Sequence, residues 1–158
     1  MSELRFPMFI PLEHKKIMVF GAGKVAYRRI NTLLLFHANI TVVSPAVCKE
    51  LENLINQKKI YWIKGSYPDC LIETDAFFIL AATNDEKINE SIYKECKKNN
   101  LLVNNAGNQS QCDFFFPAIV ETNDLIVGIA GNGSNHKKVS ETATKIRKEL
   151  RGGDSAKN

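Results

Sequence analysis

The segment KIMVFGAGKVA, Lys16 to Ala26, runs a short apolar strand into Gly21-x-Gly23-x-x-Ala26, and no other part of the chain limits the fold so tightly. The spacing has a physical reading. Gly21 permits a tight turn out of the strand, Gly23 leaves no side chain between the backbone and a pyrophosphate, and Ala26 lets the next helix lie close to a sheet. That helix would aim its N-terminal N–H groups at the phosphate charge. A glycine pattern alone is weak, since ligand-free glycine turns share it. Here it follows five strand residues and opens a helix with Val25, Leu33, Leu34 and Phe36 on one face, which is the context a dinucleotide turn needs.

The rest of the pattern alternates strand and helix. Lys16–Phe20 is the first strand and Lys24–Phe36 the first helix; Asn39–Val43 is a β-branched strand stopped by Ser44-Pro45. Helical spacing follows over Ala46–Asn56 through Val47, Leu51, Leu54 and Ile55, then a strand over Ile60–Lys64. The uninterrupted apolar run Ala76–Ala81 predicts a central strand buried on both faces. A helix from Asp85 to Lys98, with Ile88, Ile92 and Cys96 inward, leads to a strand at Leu101–Asn104. Such a series predicts an α/β, Rossmann-like, doubly wound parallel sheet.

From Phe114 the pattern changes. Phe114–Val120 and Leu125–Ile129 are apolar strands separated by Glu121-Thr-Asn-Asp124, a loop of hairpin length, and Pro117 places the first of them at an edge or a bulge. A polar helix near Lys137–Arg151 and a frayed Gly152–Asn158 tail complete the chain. The expected organisation is a nucleotide-binding domain over 1–112, a hairpin-and-helix appendage over 113–151 and a flexible tail over 152–158. A long apolar hairpin needs its open face covered, so a homodimer is expected.

Composition narrows the function class. Among 158 residues the four cysteines, Cys48, Cys70, Cys96 and Cys112, are widely spaced with no CxxC pair, as in a reduced protein without a disulfide framework or zinc site. The N-terminus carries no long apolar core with a cleavage site, and no stretch nears the roughly 20 apolar residues that span a bilayer, so the expected location is the cytoplasm, without a membrane partner. The net charge is +4, from Arg28 and Arg29 behind the glycine turn and a basic group on the last helix that includes Lys137, Lys138, Arg147 and Lys148. These charges solvate helix faces or attract a polyanionic ligand. Nucleic acid is not the expected partner, since no aromatic-basic interleaving accompanies them.

Longer motifs carry a family resemblance. FPMFIPLEHKKIMVFGAGKVAYRRINTLL, ITVVSP, ILAATNDEKIN and VNNAGNQSQCDFFFPAIV, spread over about Phe6 to Leu150, are together similar to the precorrin-2 dehydrogenase/sirohydrochlorin ferrochelatase family of siroheme synthesis. The resemblance implies a Rossmann domain, a dimerisation region from the hairpin onward, and oxidation of precorrin-2 to sirohydrochlorin with NAD as hydride acceptor. Some members also insert ferrous iron. Carried over by position, Gly21, Gly23, Lys24 and Val25 would cradle the pyrophosphate, Ser44, Pro45 and Ala46 would border the adenosine ribose, and Ala82, Thr83 and Asn84 would lie toward the nicotinamide. A helix cap is the competing role for Thr83-Asn84-Asp85. Ser44 stands where NAD-specific sites often hold a carboxylate, so the choice of NAD over NADP follows from the resemblance alone.

Two departures bear on catalysis. Relatives usually carry an aspartate after the fifth strand; this chain has Gly107 there and Asn108 next, neither able to act as a carboxylate base. Asp113 and Asn108 are the nearest catalytic candidates, with a structural turn as the competing role for Asp113. Gly131 replaces a serine found in some relatives, with Ser134 nearby, and the chain ends without a long helical extension. No metal-ligand set is expected; His37, at a helix end where relatives often have glycine, reads as a cap. The sequence leaves two function classes: a dehydrogenase with doubtful chelatase activity, or a non-catalytic NAD(H)- or tetrapyrrole-binding module acting as sensor or carrier.

Overall fold

The computed structural model describes residues 5–131 and 135–153. Ser134 and the tail beyond Gly153 lie outside the described residues. Two compact units divide the chain, one formed by Pro11–Phe114, the other by the described parts of Met1–Ile10 and Phe115–Asn158.

The larger unit is a five-stranded parallel sheet in the order β3-β2-β1-β4-β5, built from β1 (Lys16–Phe20), β2 (Asn39–Ser44), β3 (Tyr61–Lys64), β4 (Phe78–Ala81) and β5 (Leu102–Asn105). The order runs outward from β1 to one side and then restarts at β4 on the other. The β1/β4 boundary is therefore the switch point at which such sheets open a crevice. The two strands flanking it are the most buried: Ile17 to Phe20 and Phe78 to Ala81 are all interior, as helices on both faces require. The α/β doubly wound architecture is thus observed.

Helix α1 (Lys24–Leu34) buries Ala26, Ile30 and Leu33, spaced four and three apart so that one stripe faces the sheet. Leu33 is buried as expected, but Val25 is 43% exposed and Ala26 takes its place on the inward face. The helix stops at Leu34 rather than Phe36 because His37 adopts a left-handed backbone with φ 56°. A side chain is strained there and glycine is not. Helix α2 (Lys49–Asn56) begins three residues later than expected, since its N-cap, Cys48, is extended. Helix α3 (Glu86–Lys98) turns Asn89, Ile92 and Cys96 inward. Burial pushes the Cys96 thiol up to about 12, so it stays protonated and packs as a small hydrophobe. None of the four cysteines forms a disulfide.

In the smaller unit, β6 (Ala118–Glu121) and β7 (Ile126–Ile129) form an antiparallel hairpin with Ala118 opposite Ile129, followed by α4 (His136–Gly153). The first strand is shorter than expected, starting only after Pro117, which has no N–H for a ladder. The Arg147 guanidinium donates to the Ile119 carbonyl (3.2 Å), and Arg5 lies 3.5 Å from the Phe115 ring centroid. Val120 and Ala143 are this unit's buried apolar residues among those described.

Candidate functional site

The carboxyl ends of the parallel strands enclose a cleft of about 420 Å³. Its centre is the glycine turn. Gly21 has φ 108°, a conformation that L side chains rarely adopt. Its N–H donates to the Val43 carbonyl (2.9 Å), while a Cβ at this position would overlap the Ala82 carbonyl oxygen and lie 2.8 Å from the Thr83 nitrogen. The end of β4 therefore presses against the turn, and only glycine fits between them. Gly23 differs. A Cβ there would find only Asn84 Oδ1, at 4.0 Å, so its missing side chain answers no demand of the protein's own packing. Gly23 is also the N-cap of α1 and makes no side-chain cap bond, and the helix's first turn carries no acidic residue. Free N–H groups beside an open, side-chain-free surface fit a pyrophosphate.

Of the ten residues expected at the cofactor, eight line this cleft: Gly21, Gly23, Ser44, Pro45, Ala46, Ala82, Thr83 and Asn84. Lys24 and Val25 are exposed on the first turn of α1 and do not line it. Their contribution would come from backbone N–H groups at the helix end. Gly65, Ser66, Tyr67 and Ile88 also line the cleft; the sequence names only Ile88 among them, and as a core residue of its helix rather than at the cleft. Tyr67 meets Phe20 edge to face at 6.0 Å, and burial raises its phenol above the ordinary value, keeping it neutral.

Ser44 is only 3% exposed. The Trp62 indole N–H donates to its carbonyl (3.1 Å) and reaches its hydroxyl at 3.2 Å, so β3 holds the end of β2 from the side. On the other wall, the competing roles of Thr83-Asn84-Asp85 coexist. Asp85 is the cap of α3, its Oδ1 accepting from the N–H groups of Lys87 (2.8 Å) and Ile88 (3.2 Å), and it lines the cleft together with Thr83 and Asn84. Thr83 is in turn held by Asn89, a buried amide that sequence reasoning missed because the inward stripe was read through Ile88.

The two catalytic candidates are occupied elsewhere. Asp113 Oδ2 accepts from the Val103 N–H (2.9 Å) and Oδ1 from Lys97 Nζ (2.7 Å), extending the edge of β5 below its carboxyl end. The bond to Asp113 raises the Lys97 ammonium above its usual range. Asn108 Oδ1 accepts from the Ser110 N–H (3.1 Å), capping the short 3-10 turn Gln109–Gln111. Neither residue lines the cleft. Gly107 is exposed at the end of β5; a Cβ there would sit 3.5 Å from Asn105 Oδ1 and 3.7 Å from Asn89 Nδ2, in ordinary contact. Arg29 is half-buried against Asn104 Oδ1, and desolvation lowers its pKa, whereas Arg28 is exposed. Among the described residues no three His, Cys, Asp or Glu side chains gather as metal ligands.

A glycine turn at the switch point of a doubly wound sheet, opening onto an uncapped helix, defines a dinucleotide-binding domain. Comparison with known proteins agrees. Residues 8–118 match the family model NAD_binding_7, described as "Putative NAD(P)-binding", and the chain belongs to this family. It is 39% identical over 145 residues to the "Probable multifunctional siroheme biosynthesis protein HemA" of Ruminiclostridium josui, covering 91% of this chain and 28% of that protein. It is 36% identical over 127 residues to the siroheme synthase of Blochmanniella pennsylvanica, covering 80% and 26%. The chain thus spans about a quarter of the length of the curated relatives it matches. Among solved structures it is similar to SirC, a precorrin-2 dehydrogenase, with TM-score 0.73 and 27% identity over 94% of this chain and 71% of that one.

Proposed function

We propose that this chain oxidises precorrin-2 to sirohydrochlorin in siroheme synthesis, with NAD⁺ accepting the hydride and the balancing proton leaving to solvent. The observation that supports the reading most is the cleft itself. Gly23 is bare toward open space beside an uncapped helix N-terminus, in a chain similar to siroheme synthases and to a precorrin-2 dehydrogenase. Bound there, NAD⁺ supplies the two-electron sink. The protein's own contribution is positional. The α1 N–H groups would hold the pyrophosphate, the Ser44–Ala46 wall would border the adenosine half, and Thr83 and Asn84 would flank the nicotinamide half. Holding a donor carbon in reach of an acceptor supplies much of the acceleration of such a transfer.

Precorrin-2 has eight carboxylates, and exposed cations such as Arg28 would attract it. Substrate turnover would proceed without a general base from Asp113, whose carboxylate is engaged by Val103 and Lys97, or from Asn108, which caps the 3-10 turn. Iron insertion is not part of the proposal, because no carboxylate at position 107 is present to receive pyrrole protons. The protein would act as a homodimer in the cytoplasm, joined through the smaller unit, where Phe6, Met8 and Phe9 are exposed. No described helix is long and apolar enough to cross a membrane.

Gly107 favours a second reading, a module that binds NAD(H) or a tetrapyrrole without chemistry. Anaerobic incubation with precorrin-2 and NAD⁺, followed by sirohydrochlorin absorbance, separates the two. NAD⁺-dependent product is expected. Binding of either ligand with no product would assign the chain to the second class.

A further inference from the structure

Asn89 is an interior amide in an otherwise apolar stripe of α3, 2% exposed, one and two turns before Ile92 and Cys96. Burying an amide is unfavourable unless its polar atoms are bonded. Asn89 spends them on a single residue outside its own helix. Its Oδ1 accepts from the Thr83 N–H (3.0 Å) and the Thr83 hydroxyl (2.7 Å), and its Nδ2 donates to the Thr83 carbonyl (3.1 Å). Thr83 is the second residue past the end of β4, where the sheet ladder no longer bonds its backbone. Asn89 replaces that ladder. The residue before Thr83 is Ala82, the one whose carbonyl leaves no room for a side chain at Gly21. Ala82 itself is held by its N–H on the Phe20 carbonyl (2.8 Å), so Asn89 fixes the next residue of the segment that packs against the glycine turn and forms the opposite wall of the cleft. A leucine of similar size would fill the space but leave the Thr83 N–H and carbonyl unmet.

We propose that Asn89 is a positioning residue of the cleft, fixing the Ala82–Asn84 turn against Gly21 so that the cofactor meets a preformed wall. The proposal rests on the nucleotide reading of the cleft for its consequence, but the positioning itself can be measured without any ligand. A side chain 2% exposed does not touch the cofactor; it acts through Thr83.

The test combines amide hydrogen exchange with NAD⁺ calorimetry on the full chain, in wild type and Asn89→Ala. Faster exchange is expected at Thr83 while the amides of Ile92 and Val103 keep their protection, together with an NAD⁺ dissociation constant raised about 10- to 10²-fold. A purely structural role would instead speed exchange throughout the core. Where Asn89→Ala fails to fold, Asn89→Asp keeps the Oδ1 acceptor for the Thr83 N–H and hydroxyl and removes only the amide donor to the Thr83 carbonyl, and faster Thr83 exchange with weaker NAD⁺ binding is expected from it. Unchanged Thr83 exchange overturns the proposal, as does NAD⁺ affinity unchanged in a variant whose Thr83 has lost protection. Should the wild type bind neither NAD⁺ nor NADH, the nucleotide reading falls, while the exchange data still decide whether Asn89 holds the turn.

Discussion

The two units satisfy their apolar residues in opposite ways. In Pro11–Phe114 the strands beside the switch point are interior along their whole apolar length, and Ile30, Leu51 and Ile92 close over them from the helices. The smaller unit buries little besides Val120 and Ala143 among its described residues, yet leaves Phe6 at 85%, Met8 at 69% and Phe9 at 71% exposed. A parallel sheet covered on both faces is a complete core. A two-stranded hairpin with one helix is marginal on its own. The contrast teaches that the first unit can make a binding cleft unaided, while the second has the surface of something that must be covered.

The largest effects should come from the glycine turn of the complete unit, and the two glycines should behave differently. Gly21→Ala forces a Cβ into the Ala82 carbonyl at a positive φ, so we expect a loss of at least ~3 kcal/mol of stability together with NAD⁺ binding. Gly23→Ala should leave stability within about 0.5 kcal/mol, because its Cβ meets nothing closer than 4.0 Å, and still weaken NAD⁺ binding. Thermal unfolding and calorimetry on both variants check this. Equal stability of the two would break the assignment of one glycine to packing and the other to ligand.

Next in size is an attack on the incomplete unit. Phe9→Glu places a charge in the apolar face, and a symmetric interface feels it twice. The dimer dissociation constant should rise by about 10²-fold or more, since burying one such ring is worth ~1.5–3 kcal/mol, while NAD⁺ affinity stays as it was. Sedimentation equilibrium with calorimetry reads both quantities. A wild type that is monomeric at micromolar concentration would remove the homodimer from the proposal. Returning to the larger unit, Gly107→Asp should fit, because a Cβ there makes only ordinary contacts at 3.5 and 3.7 Å. If the chain is a dehydrogenase slowed by the absent carboxylate, turnover should rise by about 10²-fold at the low end of general-base assistance. No change would mean that positioning already carries the reaction.

Legibility in the sequence followed the same division. Strand β1 was readable to the residue because a polar Lys16 and a glycine turn bracket an apolar run. The fold class was legible for a related reason: strand and helix periodicities are local. Glycine positions at the cleft were legible because glycine reports backbone geometry directly. What could not be read was non-local. Trp62 reaches Ser44 across a strand pairing, and Asn89 looks like an ordinary polar helix residue, although it lies one turn before the buried Ile92. Asp113 was named for its charge, whereas its oxygens serve the Val103 N–H and Lys97. The unit boundary was expected near residue 112, with the N-terminus in the nucleotide domain. The described residues before Pro11 instead cluster with the C-terminal segment, a pairing over more than 100 positions that no local pattern encodes.

The smallest expected effect lies at the end of the sheet remote from the cleft. Lys16, the first residue of β1, is hydrogen-bonded to Asp75 and also within 3.7 Å of Glu73. The bond to Lys16 holds the Asp75 carboxyl below its usual range. A carboxyl depressed in the folded state adds stability above its unfolded pKa, and that contribution fades as pH falls through the lower folded value. Both side chains are more than half exposed, so water and salt screen the pair and the contribution is slight. Asp75→Asn should therefore melt marginally earlier than wild type at pH 7 and low salt, and the gap should close in strongly acidic solution and in molar salt. NAD⁺ affinity should not move at all, because the pair sits at the amino end of β1 and the cleft at its carboxyl end. A change in affinity would mean that strain passes along the full strand, and that the complete core is less independent than its burial implies.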